Sequence, residues 1–347
     1  MSVPEALTIP AGRVDERLRE VLDGYRKEWG KLDPLFNETI DLLSTLVLAG
    51  GKRVRPAMAY WGFVAANGDV SGPEIANLGA GLELLQAFAL FHDDVMDGSP
   101  TRRGVPPAHV QAIANHENND WGGEARRYGE AVAILAGDVS LVLSDVLLAD
   151  INPDVRRLWN ELRIEVNLGQ FLDVVGTARG EVPLATAERI VEYKTARYTI
   201  VRPLQMGAAL TGRNDLEESL GRIGTPLGVA FQLRDDLLGA FGSPEVTGKP
   251  VGDDLREGKP TPLLARAREA ASKTQLNLLG LVGTNLSPDQ VAAVQTIFVE
   301  TGATEAIEQQ IDELTDEALD AIARTPLAGD ANHHLAELAT FLASRTS

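Results

Sequence analysis

The chain has 347 residues and no cysteine. Disulfides, thiolate zinc sites and cysteine nucleophiles are thereby excluded. Histidine is scarce, with five in all, and the adjacent His333 and His334 read as surface residues rather than a metal site. Basic charge is outnumbered: 32 Lys and Arg face 50 Asp and Glu, for a formal net charge of −18 and a pI near 4.7. So acidic a chain is a poor partner for nucleic acid or for an anionic bilayer. The N-terminus carries no charged-then-apolar signal pattern, and no run approaches ~18 uninterrupted apolar residues. The expectation is a soluble cytoplasmic protein with no nucleic-acid partner and no stable membrane insertion. Alternating strands, repeats of fixed period, low-complexity tracts and clear linkers are also missing. The length allows one large or two ordinary domains. We expect a single all-α domain over 1–347.

What is present is helical period in nearly every segment. Ser71-Gly72-Pro73-Glu74 and Ser287-Pro288-Asp289-Gln290 read as capping boxes with an early proline. Asn152-Pro153 starts another helix. Between 72 and 97, Leu78, Leu82, Leu85 and Ala89 form one stripe, and Ala80, Leu84, Ala87 and Phe91 a second. A helix apolar on nearly all sides is a central one. Loops are expected at 98–107, 176–183 and 242–262, and two or three amphipathic helices over 280–347.

The central helix ends in Phe91-His92-Asp93-Asp94-Val95-Met96-Asp97, followed by Gly98-Ser99-Pro100-Thr101-Arg102-Arg103-Gly104. On a helix Asp93 lies one turn from Asp97 and Asp94 three residues from it, so their oxygens converge. Carboxylates so close repel, and a hard cation relieves the repulsion. Oxygen ligands without His or Cys point to Mg²⁺, which takes one or two carboxylates and completes its shell with water and substrate phosphate. Arginine matches phosphate oxygens through forked hydrogen bonds. The run therefore reads as a magnesium-bridged diphosphate site.

A second acidic pair closes another apolar helix at Phe231-Gln232-Leu233-Arg234-Asp235-Asp236-Leu237-Leu238-Gly239. It is followed by Thr247-Gly248-Lys249-Pro250-Val251-Gly252-Asp253-Asp254-Leu255-Arg256-Glu257-Gly258-Lys259. Two such sets, each trailed by a glycine-rich basic loop, suggest a cavity clamped from two walls, with several Mg²⁺ ions neutralising a diphosphate leaving group. Gly50-Gly51-Lys52-Arg53-Val54-Arg55-Pro56 adds three cations behind glycines that let backbone approach an anion. Gly169-Gln170-Phe171-Leu172-Asp173 and Tyr193-Lys194-Thr195 place further polar groups mid-chain.

In this order the motifs resemble those of trans-isoprenyl diphosphate synthases, the polyprenyl synthetase family, over roughly 35–345. The resemblance implies an all-α barrel of long helices around a deep central cavity (the isoprenoid synthase type), a homodimer, and condensation of isopentenyl diphosphate with an allylic diphosphate. By that resemblance Asp93, Asp94 and Asp97 serve the metal on one wall. Asp235 does so on the other, with Asp236 beside it, and about three Mg²⁺ ions in all bridge to the allylic diphosphate. Arg102, Lys194 and Lys259 grip that diphosphate, with Lys249 close by. Lys52, Arg55 and Arg103 hold the isopentenyl diphosphate. Gln170 and Asp173 belong to the substrate-binding set, and Thr195 and Gln232 turn oxygen dipoles toward the developing cation.

Two positions depart from the family pattern. Gln86 stands where many members have a substrate-binding histidine, and an amide can still donate to phosphate. Gly239 stands where a third aspartate commonly closes the second motif. Product length is read from Phe88 and Ala89, just below Asp93. One bulky and one small residue there resemble geranylgeranyl diphosphate synthases, and a bulky pair would resemble farnesyl diphosphate synthases. A class I terpene cyclase would carry an Asn/Ser/Glu metal motif instead of Asp235-Asp236 and would not need Lys52 and Arg55. A noncatalytic partner subunit would lack aspartates that this chain keeps.

Overall fold

The computed structural model describes residues 3–102, 104–242 and 251–344. Among them the only β pairing is an isolated bridge between Arg102 and Val105, and the all-α expectation holds. The chain clusters into two compact units.

One unit comprises Glu5–Tyr60 and Asp69–Asn152. It contains α1 (Glu5–Trp29), α2 (Phe36–Leu48), the start of α3 (Val54–Ala65), α4 (Glu74–Asp97), α5 (Ala108–Asn118) and α6 (Ala125–Leu147). Its core joins Val14, Leu18 and Leu22 of α1, Ile40 and Leu43 of α2, Leu84, Ala87 and Phe91 of α4, and Ala133 and Ala136 of α6. By length and composition α4 could cross a bilayer. Here Leu78, Leu82, Leu84 and Leu85 are buried in protein, as the all-round apolar pattern predicts. The Ser140 hydroxyl of α6 donates to the Leu84 carbonyl at 2.7 Å. Pro73, not Ser71, occupies the N-cap of α4, with no side-chain cap. Proline's own fixed φ starts that helix, while Asp69 accepts the Ser71 N–H in a turn outside it.

The other unit comprises Met1–Pro4, Trp61–Gly68 and Pro153–Ser347. It holds α7 (Pro153–Arg179), α8 (Leu184–Ile190), a π-helical stretch (Val191–Val201), α9 (Arg202–Leu210) and α10 (Glu217–Phe241). The remaining helices are α11 (Asp253–Glu257), α12 (Pro262–Ala270), α13 (Lys273–Leu279), α14 (Pro288–Glu300), α15 (Ala303–Arg324) and α16 (Ala331–Ser344). The Ser287-Gln290 capping box forms as the sequence predicts, and a second one forms at Ser272-Gln275. The expected loop at 176–183 shrinks because α7 runs on to Arg179. His334 is not a surface residue: its ring stacks on Trp61 with centroids 4.1 Å apart, while His333 is exposed.

The π-helical stretch departs most from the sequence reading. A π-helix is wider than an α-helix and rare, and it concentrates at functional sites. Three glycines let neighbouring helices close on it. A methyl at Gly169 of α7 would come within 2.7 Å of the Lys194 Cα. One at Gly228 of α10 would lie 2.6 Å from the Ala196 Cα, and one at Gly224 3.1 Å from the Val201 Cα. The C-terminal half of the stretch is tied by Glu165 of α7. It accepts from Arg197 at 2.7 Å and from Arg202 at 2.6 and 2.8 Å.

Burial alone would raise the Glu165 carboxyl, but its bonds to Arg202 and Arg197 and their charges prevail and hold it below the usual range. A carboxyl lowered on folding stabilises above its unfolded pKa, and that stabilisation fades as pH falls through the folded value. Glu165→Gln therefore costs about 2–3 kcal/mol at neutral pH. Melting curves of both proteins against pH should converge as pH falls below ~4. A gap in Tm that persists unchanged into acid contradicts the assignment.

Candidate active site

The first acidic set terminates α4. Gly98, at φ +62°, caps the helix in the left-handed region, and the Ser99 N–H returns to the Asp94 carbonyl at 3.1 Å. The chain then doubles back, with Arg102 and Val105 exchanging backbone hydrogen bonds of 2.7 and 3.1 Å. This turn lays the Arg102 guanidinium against the helix end. Its Nε and Nη2 donate to Asp94 Oδ1 at 2.9 and 2.5 Å, and Nη2 lies 3.5 Å from Asp93 Oδ2. Asp94 is buried, and burial pushes its carboxyl up against the pull of Arg102. Asp93 and Asp97 stay partly exposed, one helical turn apart. The three aspartates are therefore not equivalent. Asp94 orients an arginine from the interior, and Asp93 and Asp97 face outward. Arg103 lies outside the described residues.

Gln86 and Ala89 are partly exposed on α4, seven and four residues before Asp93, a spacing that puts both near the Asp93 face. Phe88 is partly exposed as well. Its ring packs against His92 with centroids 4.6 Å apart, and Gly137 of α6 leaves room for the His92 ring.

Of the three cations at the start of α3, Arg53 is structural. It is buried, holds a left-handed φ of +50°, and pairs with Asp15 at 2.6 Å, with Glu83, and with the Val47 carbonyl at 2.6 Å. The strain of that φ is offset by charge-assisted bonds to three partners. Lys52 and Arg55, on either side, remain partly exposed.

The second acidic set lies on α10 beside the π-helical stretch. The Thr195 hydroxyl donates to Gln232 Oε1 at 2.6 Å, and the Gln232 amide donates to Asp236 Oδ1 at 2.7 Å. This relay fixes the amide's orientation and leaves the Thr195 oxygen's lone pairs uncommitted. Asp236 is buried, and its Oδ2 has no hydrogen-bond partner among the described residues. Burial drives its carboxyl well above the usual range. Gln232 pulls it down, while Asp254, Asp235 and Asp173 add to the rise. Lys194 Nζ pairs with buried Asp173 at 2.5 Å. Asp173 thus serves as the lysine's anchor, with Gln170 partly exposed one turn earlier. Lys259 lies 3.2 Å from Glu257, and Lys249 lies outside the described residues.

Among the described residues no three carboxylates or histidines converge into a closed metal cage. The three aspartates of the first set therefore do not converge as the sequence suggests; Mg²⁺ itself takes one or two carboxylates and finishes its shell with water and substrate phosphate. The donors fit that ion: all are oxygens, and the orphaned Asp236 oxygen is a buried acceptor without a partner. The second set would hold such a cation through Asp235, with Asp236 behind it, and the first through Asp93 and Asp97.

Three features escaped the sequence reading. Arg53 looks like its neighbours in sequence, and only the carboxylates of Asp15 and Glu83 single it out. His109, buried at the start of α5, lies close enough for Asp94 to act on its charge. Asp254 sits against Gly239, such that any Cβ at 239 would overlap its carboxylate.

The polyprenyl synthetase family model matches residues 37–300. A crystal structure of geranylgeranyl pyrophosphate synthase from Corynebacterium glutamicum, complexed with isoprenyl diphosphate and magnesium, superposes with a TM-score of 0.93. Its identity is 36 %, over 99 % of this chain and 100 % of that one. A geranylfarnesyl diphosphate synthase of Aeropyrum pernix is 32 % identical, over 81 % of this chain and 86 % of its own. A (2E,6E)-farnesyl diphosphate synthase of Mycobacterium bovis is also 32 % identical, over 96 % and 88 %. The fold is that of these all-α synthases. Their different product names at similar identity show that overall likeness does not set product length.

Gly169→Ala should disturb the site without touching a charged group. Its methyl would collide with the Lys194 backbone, a collision worth about 1–3 kcal/mol against a helix-propensity gain of at most ~1. Denaturant unfolding should show a net loss of stability. Full stability and unchanged activity would mean that the close approach is not needed.

Proposed function

This chain belongs to the polyprenyl synthetase family, and on that premise we propose that it condenses isopentenyl diphosphate with an allylic diphosphate. The product is a short all-trans prenyl diphosphate, geranylgeranyl diphosphate first and farnesyl diphosphate second. The observation that carries this reading is two acidic sets with oriented cations nearby: Arg102 on Asp94 at the end of α4, and Lys194 on Asp173 of α7, whose charge acts on Asp236 of the second set.

The reaction breaks the allylic C–O bond, and the diphosphate leaves with the electron pair. The isopentenyl double bond then attacks the allylic carbon, and a proton is lost. Bound Mg²⁺ supplies charge neutralisation for the leaving diphosphate. Asp93, Asp97 and Asp235 would hold the metal. Asp94 keeps Arg102 aimed at the leaving group, and Asp173 does the same for Lys194. Lys259 and Lys249 add positive charge, and Lys52, Arg55, Arg103 and Gln86 would take the second diphosphate. Thr195, oriented by Gln232, presents oxygen lone pairs to the developing cation. Such preorganised dipoles need no reorientation as charge develops.

In this reading the two compact units form one isoprenoid synthase domain. The protein is cytoplasmic and homodimeric, without membrane insertion, because the apolar length of α4 is already used in its core. Light scattering behind size exclusion tests the dimer.

Purified protein incubated with isopentenyl diphosphate and each allylic primer should elongate them only with Mg²⁺ or a close substitute. Asp93→Ala should lower kcat by about three decades, or ~4 kcal/mol of transition-state stabilisation. Full turnover in EDTA, or a normal rate from the variant, defeats the metal assignment.

Product length is tested on α4. Ala89 lies one turn below Asp93, about 6 Å along the helix, and Ala89→Phe should shift output toward farnesyl diphosphate. Phe88→Ala should lengthen products if its ring, packed on His92, still closes the floor. An unchanged distribution from two well-folded variants places the floor elsewhere.

A further inference from the structure

Lys52 and Arg55 flank the one cation of their stretch that turns inward. Arg53 is 5 % exposed and holds φ at +50°, a left-handed value that a long side chain adopts only under constraint. Its carbonyl accepts the Ala57 N–H at 3.0 Å, so the same residue starts α3. The φ of Arg53 therefore sets how Lys52, just before it, is turned relative to Arg55 in the first turn of that helix.

The guanidinium supplies the constraint. Its Nε and Nη2 donate to Asp15 Oδ1 of α1 at 3.0 and 2.6 Å. Nη2 also donates to the Val47 carbonyl of α2 at 2.6 Å, and Nη1 donates to Glu83 Oε2 of α4. Helices α1, α2 and α4 thus meet on one planar fork. Glu83 is the partner nearest the site. Its side chain is 11 % exposed, and it precedes Gln86 by three residues, which puts both on one face of α4. The Arg53–Glu83 pair so joins the stretch that carries Lys52 and Arg55 to the helix that carries Gln86. Desolvation consumes most of the attraction in a buried ion pair, which makes such a pair a poor source of net stability. Fixing one arrangement of the chain is the use that remains.

We propose that Glu83 is a positioning residue for the second diphosphate. Through Arg53 it holds Lys52 and Arg55 in register with Gln86, and it sets the affinity for isopentenyl diphosphate without touching it. The inference rests on the prenyl-transfer reading, which gives those three residues to that substrate and gives Glu83 no part.

Steady-state kinetics of the full chain separate positioning from stability. Glu83→Gln removes the charge that faces Arg53 from α4. It should raise KM for isopentenyl diphosphate about ten-fold, the order of one misaligned charge-assisted hydrogen bond. KM for the allylic diphosphate should change by less than about two-fold, since that substrate lies with the metal motifs. Arg53→Met combined with Glu83→Leu removes both buried charges, and its Tm should stay close to wild type. It should still show the raised KM, because nothing then holds residue 53 in the left-handed region. Wild-type KM for isopentenyl diphosphate in Glu83→Gln, or in the folded double variant, overturns the proposal. An equal rise in both KM values overturns it too, as the mark of general damage. Lys52→Ala and Arg55→Ala separate the two levels of the argument. If neither raises KM for isopentenyl diphosphate, the placing of the second diphosphate falls and this inference with it. If both raise it and the Glu83 variants do not, this inference alone fails.

Discussion

The structure turns on how carboxylates are kept together before a cation joins them. In a chain of net charge −18, aspartates gathered at helix ends repel one another, and burying any of them adds a desolvation cost. The protein meets this with cations from its own sequence. Arg102 lies on Asp94, Lys194 on Asp173, Arg53 between Asp15 and Glu83, and Arg197 and Arg202 on Glu165. Asp236 is the exception. Among the described residues it is held by the Gln232 amide rather than by a cation, and burial drives its carboxyl up.

Helical class and the two acidic helix ends were legible because they are local. Apolar period, a glycine stop and aspartates at i and i+4 are all read within one helix. The division of labour inside each cluster was not legible. Arg53, Lys52 and Arg55 share a sequence neighbourhood, yet Asp15 and Glu83 draw the first inward while the others stay at the surface. Nothing in the local run distinguishes Asp94 from Asp93, since the distinction comes from the turn that folds Arg102 back. Gly239 read as a loss because sequence order cannot show that Asp254 comes to lie over it.

The π-helical stretch illustrates the same limit. Its residues carry an ordinary helical pattern. The signal for its wider winding sits on other helices, in Gly169, Gly224 and Gly228, which let α7 and α10 close on it. Of these only Gly169 stood out in sequence, for its place before Gln170 and Asp173. Its contact with the Lys194 backbone supplies a physical reason for glycine there: α7 must come near enough for Asp173 to reach the lysine.

Arg102 carries a kinetic consequence. A long guanidinium side chain in solution loses about 2 kcal/mol of rotamer entropy when it is fixed. Here the hairpin and Asp94 have fixed it during folding, so that ordering no longer opposes the arrival of an anion. In the proposed function an incoming diphosphate would meet a side chain already ordered, and the encounter becomes a matter of docking rather than of search.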